Sequence, residues 1–286
     1  MSTRSVATTD GLSLAAYEAG DPAAPTIVAV HGYPDDHTVW DGVVALLADR
    51  FHVVTYDVRG AGASDAPLSR DGYRIPHLVA DLGAVVEATA GDGPVHLLAH
   101  DWGSIQSWDA LVDPDLAPRI LSYTSISGPS LDMASEWLRG LARHPRAGLE
   151  QLADSWYVFA FQLPFLPELL TRRGVLGRLV DHSKHAGPHA RPHGRGVAER
   201  DAINGLELYR ANFTGRMIRP RTAAIKLPVQ VLAPRDDAHV TPALQFGAPA
   251  PYVEDLTTHL VDGNHWVVEQ DPALIVRHVT EFIDHL

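Results

Sequence analysis

The 286 residues include no cysteine, which removes disulfides, cysteine nucleophiles and thiolate metal sites together and leaves no need for an oxidising compartment. Basic charge is scarce. With 23 Lys and Arg against 35 Asp and Glu the formal charge is −12, a balance that disfavours nucleic acid and anionic membrane as partners and favours an uncharged or cationic ligand. Long apolar runs are missing too: residues 1–11 hold no segment of the signal-peptide kind, and the longest apolar stretch, around 157–170, is broken by prolines and too short to span a bilayer. These absences point to a cytoplasmic protein without membrane insertion. No solenoid-type repeat, heptad pattern or low-complexity tract organises the chain.

What is present is an alternation of short apolar runs and helical patterns. Residues 26–30, 53–56, 95–98, 120–126 and 229–232 are largely apolar and often β-branched, as strands buried on both faces of a parallel sheet should be. Ile75, Leu78, Val79, Leu82, Val85 and Val86 recur at spacings of three and four, predicting a helix with one apolar stripe and with Asp81 and Glu87 facing water. Asp271 before Pro272 predicts the start of a final helix that carries Ile275, Val279, Phe282, Ile283 and Leu286 along one face. Strand and helix alternate to about residue 128 and resume near 226. Residues 129–225 therefore read as a helical cap inserted into an α/β core made of 1–128 and 226–286. Inside the cap, 136–141 and 149–170 have helical patterns, and the Gly-, Pro-, His- and Arg-rich stretch 174–200 predicts a loop.

The chemistry is carried by Ala99-His100-Asp101-Trp102-Gly103-Ser104, which follows an apolar run and opens a helix-like segment. A sharp strand-to-helix turn needs small residues flanking its apex, and Ala99, Gly103 and Ser104 meet that need. Asp101 stands at the apex where serine is usual. A serine would attack carbonyl carbon, whereas a carboxylate is suited to displacing a leaving group from saturated carbon, so Asp101 suggests attack on an epoxide or a carbon–halogen bond. The plainer reading is an Asp that caps the following helix. Asp236 and Asp237 follow the strand at 229–232, and His265 follows a run at 257–261. The order Asp101, Asp237, His265 is that of nucleophile, acid and histidine, with Asp132 as a less favoured acid. His265 would donate one ring nitrogen to the acid and leave the other to take a proton from water. His31-Gly32-Tyr33-Pro34 follows the first parallel strand, and the backbone NH groups of Tyr33 and Trp102 are the natural pair to hold an oxyanion. Tyr33–Pro34 is a candidate cis peptide.

These segments together resemble the epoxide hydrolases of the α/β-hydrolase superfamily, over nearly the whole chain. His31 to Pro34 is similar to their oxyanion motif, Ala99 to Ser104 to their nucleophile motif, Asp237-Ala238-His239-Val240-Thr241-Pro242 to their acid loop and Gly263-Asn264-His265-Trp266 to their histidine loop. Asp57-Val58-Arg59-Gly60-Ala61-Gly62-Ala63-Ser64-Asp65 matches a further loop of the superfamily. Ala99 and Asn264 stand where glycine is more usual. The resemblance implies an α/β-hydrolase fold, with a mostly parallel central sheet flanked by helices and an inserted helical cap, and an enzyme without cofactor or metal. It also implies two cap tyrosines that donate to the epoxide oxygen: Tyr157, in Trp156-Tyr157-Val158-Phe159, and Tyr209, in Leu208-Tyr209-Arg210-Ala211. A phenol, with a reference pKa of about 10, is protonated at neutral pH and can do so.

The expected partners are a hydrophobic epoxide and water, the product a vicinal diol, and the pocket lining includes His31, Pro34, Trp40 and Trp266. A homo-oligomer is compatible with the sequence. His182, His185, His189 and His193 crowd one stretch and invite a metal reading. Their intervening glycine and prolines break any regular face, which favours a solvated cap loop. Two rival functions remain at this level. A haloalkane dehalogenase shares the nucleophile and base but commonly uses a side-chain amide where this chain has Tyr33, and has no use for paired tyrosines. A ligand-binding protein of the same fold would bind without forming product.

Overall fold

The apolar runs become the middle of one sheet because their residues can be buried on both faces. The computed structural model describes residues 1–186 and 196–286. Among them the strands are β1 (Ser2–Ala7), β2 (Ser13–Ala19), β3 (Thr26–Val30), β4 (His52–Tyr56), β5 (Val95–His100), β6 (Ile120–Ile126), β7 (Val229–Pro234) and β8 (Leu256–Val261). They lie in the order β1-β2-β4-β3-β5-β6-β7-β8. From β4 to β8 every pairing is parallel, and β1 and β2 add an antiparallel edge. That edge has no counterpart among the predicted strands, since five of the six residues of β1 are exposed and an exposed strand carries no apolar signal.

Alternate residues of β3 serve two cores. Ile27 and Ala29 pack with Trp40, Val43, Leu47, Ile275 and Val279 on one face, while Val28 and Val30 join Tyr56, Leu78, Leu82 and Val85 on the other, as a side-chain period of two requires. The final helix, Pro272–Asp284, begins at Asp271, whose side chain accepts from Leu274 N–H. Its Ile275 and Val279 are buried, but Leu286 is exposed. The helix Ile75–Ala90 buries all six predicted apolar positions. Asp81 is a correction: it is buried, not solvated, because it neutralises the buried Arg59 through two contacts of 2.6 Å.

Between β6 and β7 the described chain is helical, with Leu131–Arg139, Pro145–Asp154, Trp156–Phe161, Leu166–Arg172, Val175–Lys184 and Glu199–Ile218. Val175–Lys184 falls inside the stretch predicted as a loop. The glycines at 174 and 177 hid a pattern in which Leu176, Val180 and Lys184 share one buried face. His189 and His193 lie outside the described residues; His182 and His185 are exposed.

β3 sits between β4 and β5, so the chain leaves its carboxyl end in one direction and returns on the other side. In open α/β sheets such a reversal leaves a crevice beyond the strand ends, where ligands bind. The loop after β3 holds Tyr33 and the turn after β5 holds Asp101.

Candidate active site

Asp101 follows the last residue of β5 with φ 51° and ψ −124°, a conformation that costs a non-glycine residue on the order of 1–3 kcal/mol and survives only where its surroundings impose it. The surroundings are visible. A Cβ on Gly103 would collide with the backbone oxygens of Val30 and His31, one on Gly128 with the Asp101 carbonyl oxygen, and one on Gly32 with the Asp101 carboxylate and the Trp102 nitrogen. Ser104, fully buried, donates to the Gly128 carbonyl at 2.6 Å, and Asp101 N–H donates to the Ile126 carbonyl at 3.0 Å. Neighbouring strands thus pin the turn from both sides.

The carboxylate of Asp101 is buried and doubly held. Tyr33 N–H donates to Oδ1 at 2.6 Å, and His265 Nε2 lies 3.5 Å from Oδ2. Burial alone would raise the Asp101 pKa, but His265, foremost, and the Trp102 amide hold it below the ordinary carboxylate value. The opposite nitrogen of His265, Nδ1, donates to Asp237 at 3.0 and 3.1 Å. Asp237 also accepts from the amides of His239 and Val240 at 2.9 and 3.0 Å. Burial pushes the Asp237 pKa up, yet His265 and these donors bring it well below the usual range. For His265, burial works against the charged ring, and Asp237 and Asp101 prevail, raising its pKa to about 10. The unliganded site is accordingly an imidazolium between two carboxylates.

These groups open onto a cavity of about 290 Å³, near the low end of the roughly 300–1,000 Å³ usual for small-molecule sites. Asp101, His265, Tyr157 and Tyr209 all line it, as do Pro34 and Trp266. Phe161, Leu176 and Val180 make its far wall apolar. The two tyrosine rings are 6.1 Å apart, edge to face, and both phenol pKa values are raised, first by burial and then by nearby acidic groups that include the charge on Asp101. The insertion therefore supplies the roof, and the strand ends supply the floor.

Two expected lining residues lie elsewhere. His31 is buried beside β3, where Nε2 accepts from Val58 N–H at 2.9 Å and Nδ1 donates to the Gly32 carbonyl at 2.9 Å; both nitrogens are consumed in holding the oxyanion loop. Trp40 is fully buried in the core on the opposite face of the sheet. Asp132, the alternative acid, pairs with Arg216 and not with His265. The Tyr33–Pro34 bond is cis.

Other residues of the site were assigned no role from the sequence. His100, fully buried, donates from Nε2 to the His265 carbonyl at 2.8 Å, and burial lowers its pKa to about 4, so it stays neutral. His239 lines the cavity, its ring 4.8 Å from that of His265 and 5.4 Å from that of Tyr157; burial lowers its pKa also to about 4. Its position between motif residues was the available signal. Asp35 accepts from Trp266 Nε1 at 2.9 Å and pairs with Lys184 at 3.3 Å, tying the oxyanion loop, the histidine loop and the insertion together.

The model of the α/β-hydrolase fold family matches residues 25–160. Probable oxidoreductase EphD of Mycobacterium tuberculosis (strain ATCC 25618 / H37Rv) is 33% identical over 292 residues, which cover 98% of this chain and 49% of that protein. The chain thus spans about half the length of this curated relative. Epoxide hydrolase 3 of Mus musculus is 26% identical over 288 residues, covering 96% of this chain and 75% of the relative. Among solved structures, one of novel epoxide hydrolases in metagenomes from hot environments matches with a TM-score of 0.79 and 23% identity, over 99% of this chain and 98% of its own. Bacillus megaterium epoxide hydrolase in complex with an inhibitor matches with a TM-score of 0.77 and 21% identity, over 98% and 100%. At these identities the structural likeness speaks for the fold, and the sequence matches speak for relationship. The chain has the α/β-hydrolase fold, and epoxide hydrolases are among the proteins it is similar to.

Proposed function

We propose that this hydrolase opens a hydrophobic epoxide to a vicinal diol through an ester on Asp101. The observation that carries the reading is the division of labour between the two oxygens of Asp101, a residue that lines the cavity: Oδ1 is held by the Tyr33 amide, and Oδ2 lies 3.5 Å from His265 Nε2. In the first step Oδ2 attacks a ring carbon, the carbon–oxygen bond breaks, and the departing oxygen takes a proton from Tyr157 or Tyr209. Asp101 becomes a neutral ester, and its negative charge beside His265 disappears. Loss of that charge lowers the pKa of His265, so the ring gives up its proton, which restores the tyrosine ionised in the first step, and the neutral imidazole can act as a base toward water. Water then attacks the ester carbonyl carbon, His265 Nε2 takes the proton, and negative charge develops on Oδ1, which the Tyr33 and Trp102 amides stabilise. Collapse of that intermediate releases the diol and regenerates the carboxylate.

A dehalogenase is less well supported. The side chain of Tyr33 turns away to donate to the Ala202 carbonyl at 2.9 Å, so position 33 offers no side-chain donor to a departing halide. The aromatic and aliphatic walls favour an apolar substrate. The test is a single turnover with excess enzyme in ¹⁸O-labelled water, followed by peptide mass spectrometry. The proposal expects the label in Asp101 and an unlabelled diol; label in the diol and none in Asp101 would exclude the ester.

A further inference from the structure

The helices that roof the cavity have a second apolar face, turned to solvent. Leu149, Leu152, Trp156 and Phe159 are 39–62% exposed and fall at spacings of three and four across two successive helices, one stripe of a helical surface. Phe165, Leu166 and Leu169, 84%, 46% and 44% exposed, extend the same chemistry onto the next helix. Trp156 and Leu179 are at once half exposed or more and part of the cavity lining, so the apolar surface runs from outside the molecule into the substrate site. Apolar exposure on this scale marks an interaction surface.

Charge decides what kind. Residues 129–225 carry 14 Lys and Arg against 9 Asp and Glu, a net +5, whereas the rest of the chain carries 9 against 26, a net −17. The overall −12 therefore conceals two segments of opposite net charge. Arg143 and Arg146 precede the apolar stripe in the chain, and Arg172, Arg173 and Arg178 follow it; all five are exposed and none forms an ion pair among the described residues. Exposed Trp, Phe and Leu flanked by unpaired arginines are the composition of a surface that lies in the interface of an anionic bilayer, with rings among the acyl chains and guanidinium groups at the headgroups. The acidic remainder would be repelled from the same membrane and so orient the contact.

We infer that the outer face of the helical insertion docks on an anionic lipid surface and presents the cavity mouth at Trp156 and Leu179 to molecules dissolved in the bilayer. The docking deepens the proposed function by selecting epoxides that partition into membranes, but it does not depend on the reaction, so either can fail alone.

The experiment is co-sedimentation of the protein with vesicles of phosphatidylcholine alone or with about 30 mol% phosphatidylglycerol. Binding is expected to the phosphatidylglycerol vesicles and to fall as salt is raised. Arg172→Gln with Arg173→Gln should weaken it about tenfold or more, and Phe159→Ser with Leu169→Ser should weaken it by a similar factor. None of these four side chains lines the cavity, so turnover of a water-soluble epoxide should be unchanged in both variants. Absence of binding to either vesicle, or binding indifferent to both pairs of substitutions, overturns the inference. So does a lipid-free dimer in sedimentation equilibrium that the apolar pair converts to monomer, because the face would then belong to a second copy.

Discussion

The side-chain amide of Asn264 lies 3.0 Å from the backbone carbonyl of Lys184, across the seam between the α/β core and the helical insertion. It also reaches the carbonyls of Ser183 and Ala186 at 3.3 and 2.9 Å, while its own oxygen accepts from Trp266 N–H at 3.0 Å. The last carbonyls of a helix have no partner inside it. Asn264 therefore finishes the helix Val175–Lys184 and, in the same contact, fixes the chain on both sides of His265. Asn264→Ala would leave the buried Trp266 N–H without its acceptor, at a cost of about 1–3 kcal/mol. The thermal midpoint should fall by roughly 3–10 °C, and calorimetry showing no change would refute the assignment.

The imidazolium between two carboxylates makes stability depend on pH in a definite direction. The pKa of His265 is raised from about 6.5 in an unfolded chain to about 10 in the folded one. A raised histidine stabilises the folded state fully below the unfolded value and loses that contribution as pH climbs through the folded value. Urea unfolding of the wild type and of His265→Gln should therefore differ most at about pH 6 and converge toward pH 10. A difference that grows over that interval would contradict the ion-pair description. At the acid end the sign reverses, since Asp101 and Asp237 are both depressed and their contribution is lost only as pH falls below about 4.

Strand ends were legible because parallel strands buried on both faces leave unbroken apolar runs, and the groups of the site sit just past them. Asp101, Asp237 and His265 needed no knowledge of helix packing to be placed near one another. Asp81 could not be read in that way, because its burial depends on Arg59, a residue 22 positions earlier in a loop. His31 and Trp40 failed for a related reason: nearness to a motif in sequence does not say which face of the sheet a side chain serves, and Trp40 serves the wrong one. Val175–Lys184 was obscured by local preference, since glycines at 174 and 177 weigh against a helix and the packing of Leu176 and Val180 outweighs them.

The Arg59–Asp81 contact is itself testable. Both side chains are 1% exposed, and breaking a buried ion pair by removing one partner costs about 3–5 kcal/mol. Asp81→Ala should cost that much in chemical denaturation. Asp10 also pairs with Arg59, at 2.9 Å, but its side chain is 30% exposed, and water can replace it; Asp10→Ala should cost about 1 kcal/mol or less. Equal effects from the two substitutions would mean that Arg59 draws on both acids alike.

Tyr157 and Tyr209 can be roof packing or proton donors, and phenylalanine separates the two roles. The ring contacts of Tyr209 with Trp102 at 4.9 Å and with Phe161 at 5.1 Å survive in Tyr209→Phe, as does the contact of Tyr157 with Phe161 at 5.6 Å in Tyr157→Phe. Only the hydroxyl is lost. With both phenol pKa values raised above 10, each group is protonated throughout the neutral range and available to donate. General-acid assistance of this kind contributes roughly 10²–10⁴-fold. Each single variant should therefore slow formation of the Asp101 ester by about tenfold or more, and the double variant should lose most of that full factor. Hydrolysis of an ester already formed should be far less affected, because in the proposed mechanism that step uses His265 and the backbone amides instead. Rapid-quench measurement of ester formation and decay resolves the two steps. Equal slowing of both would place the hydroxyls in the architecture of the roof and outside the chemistry.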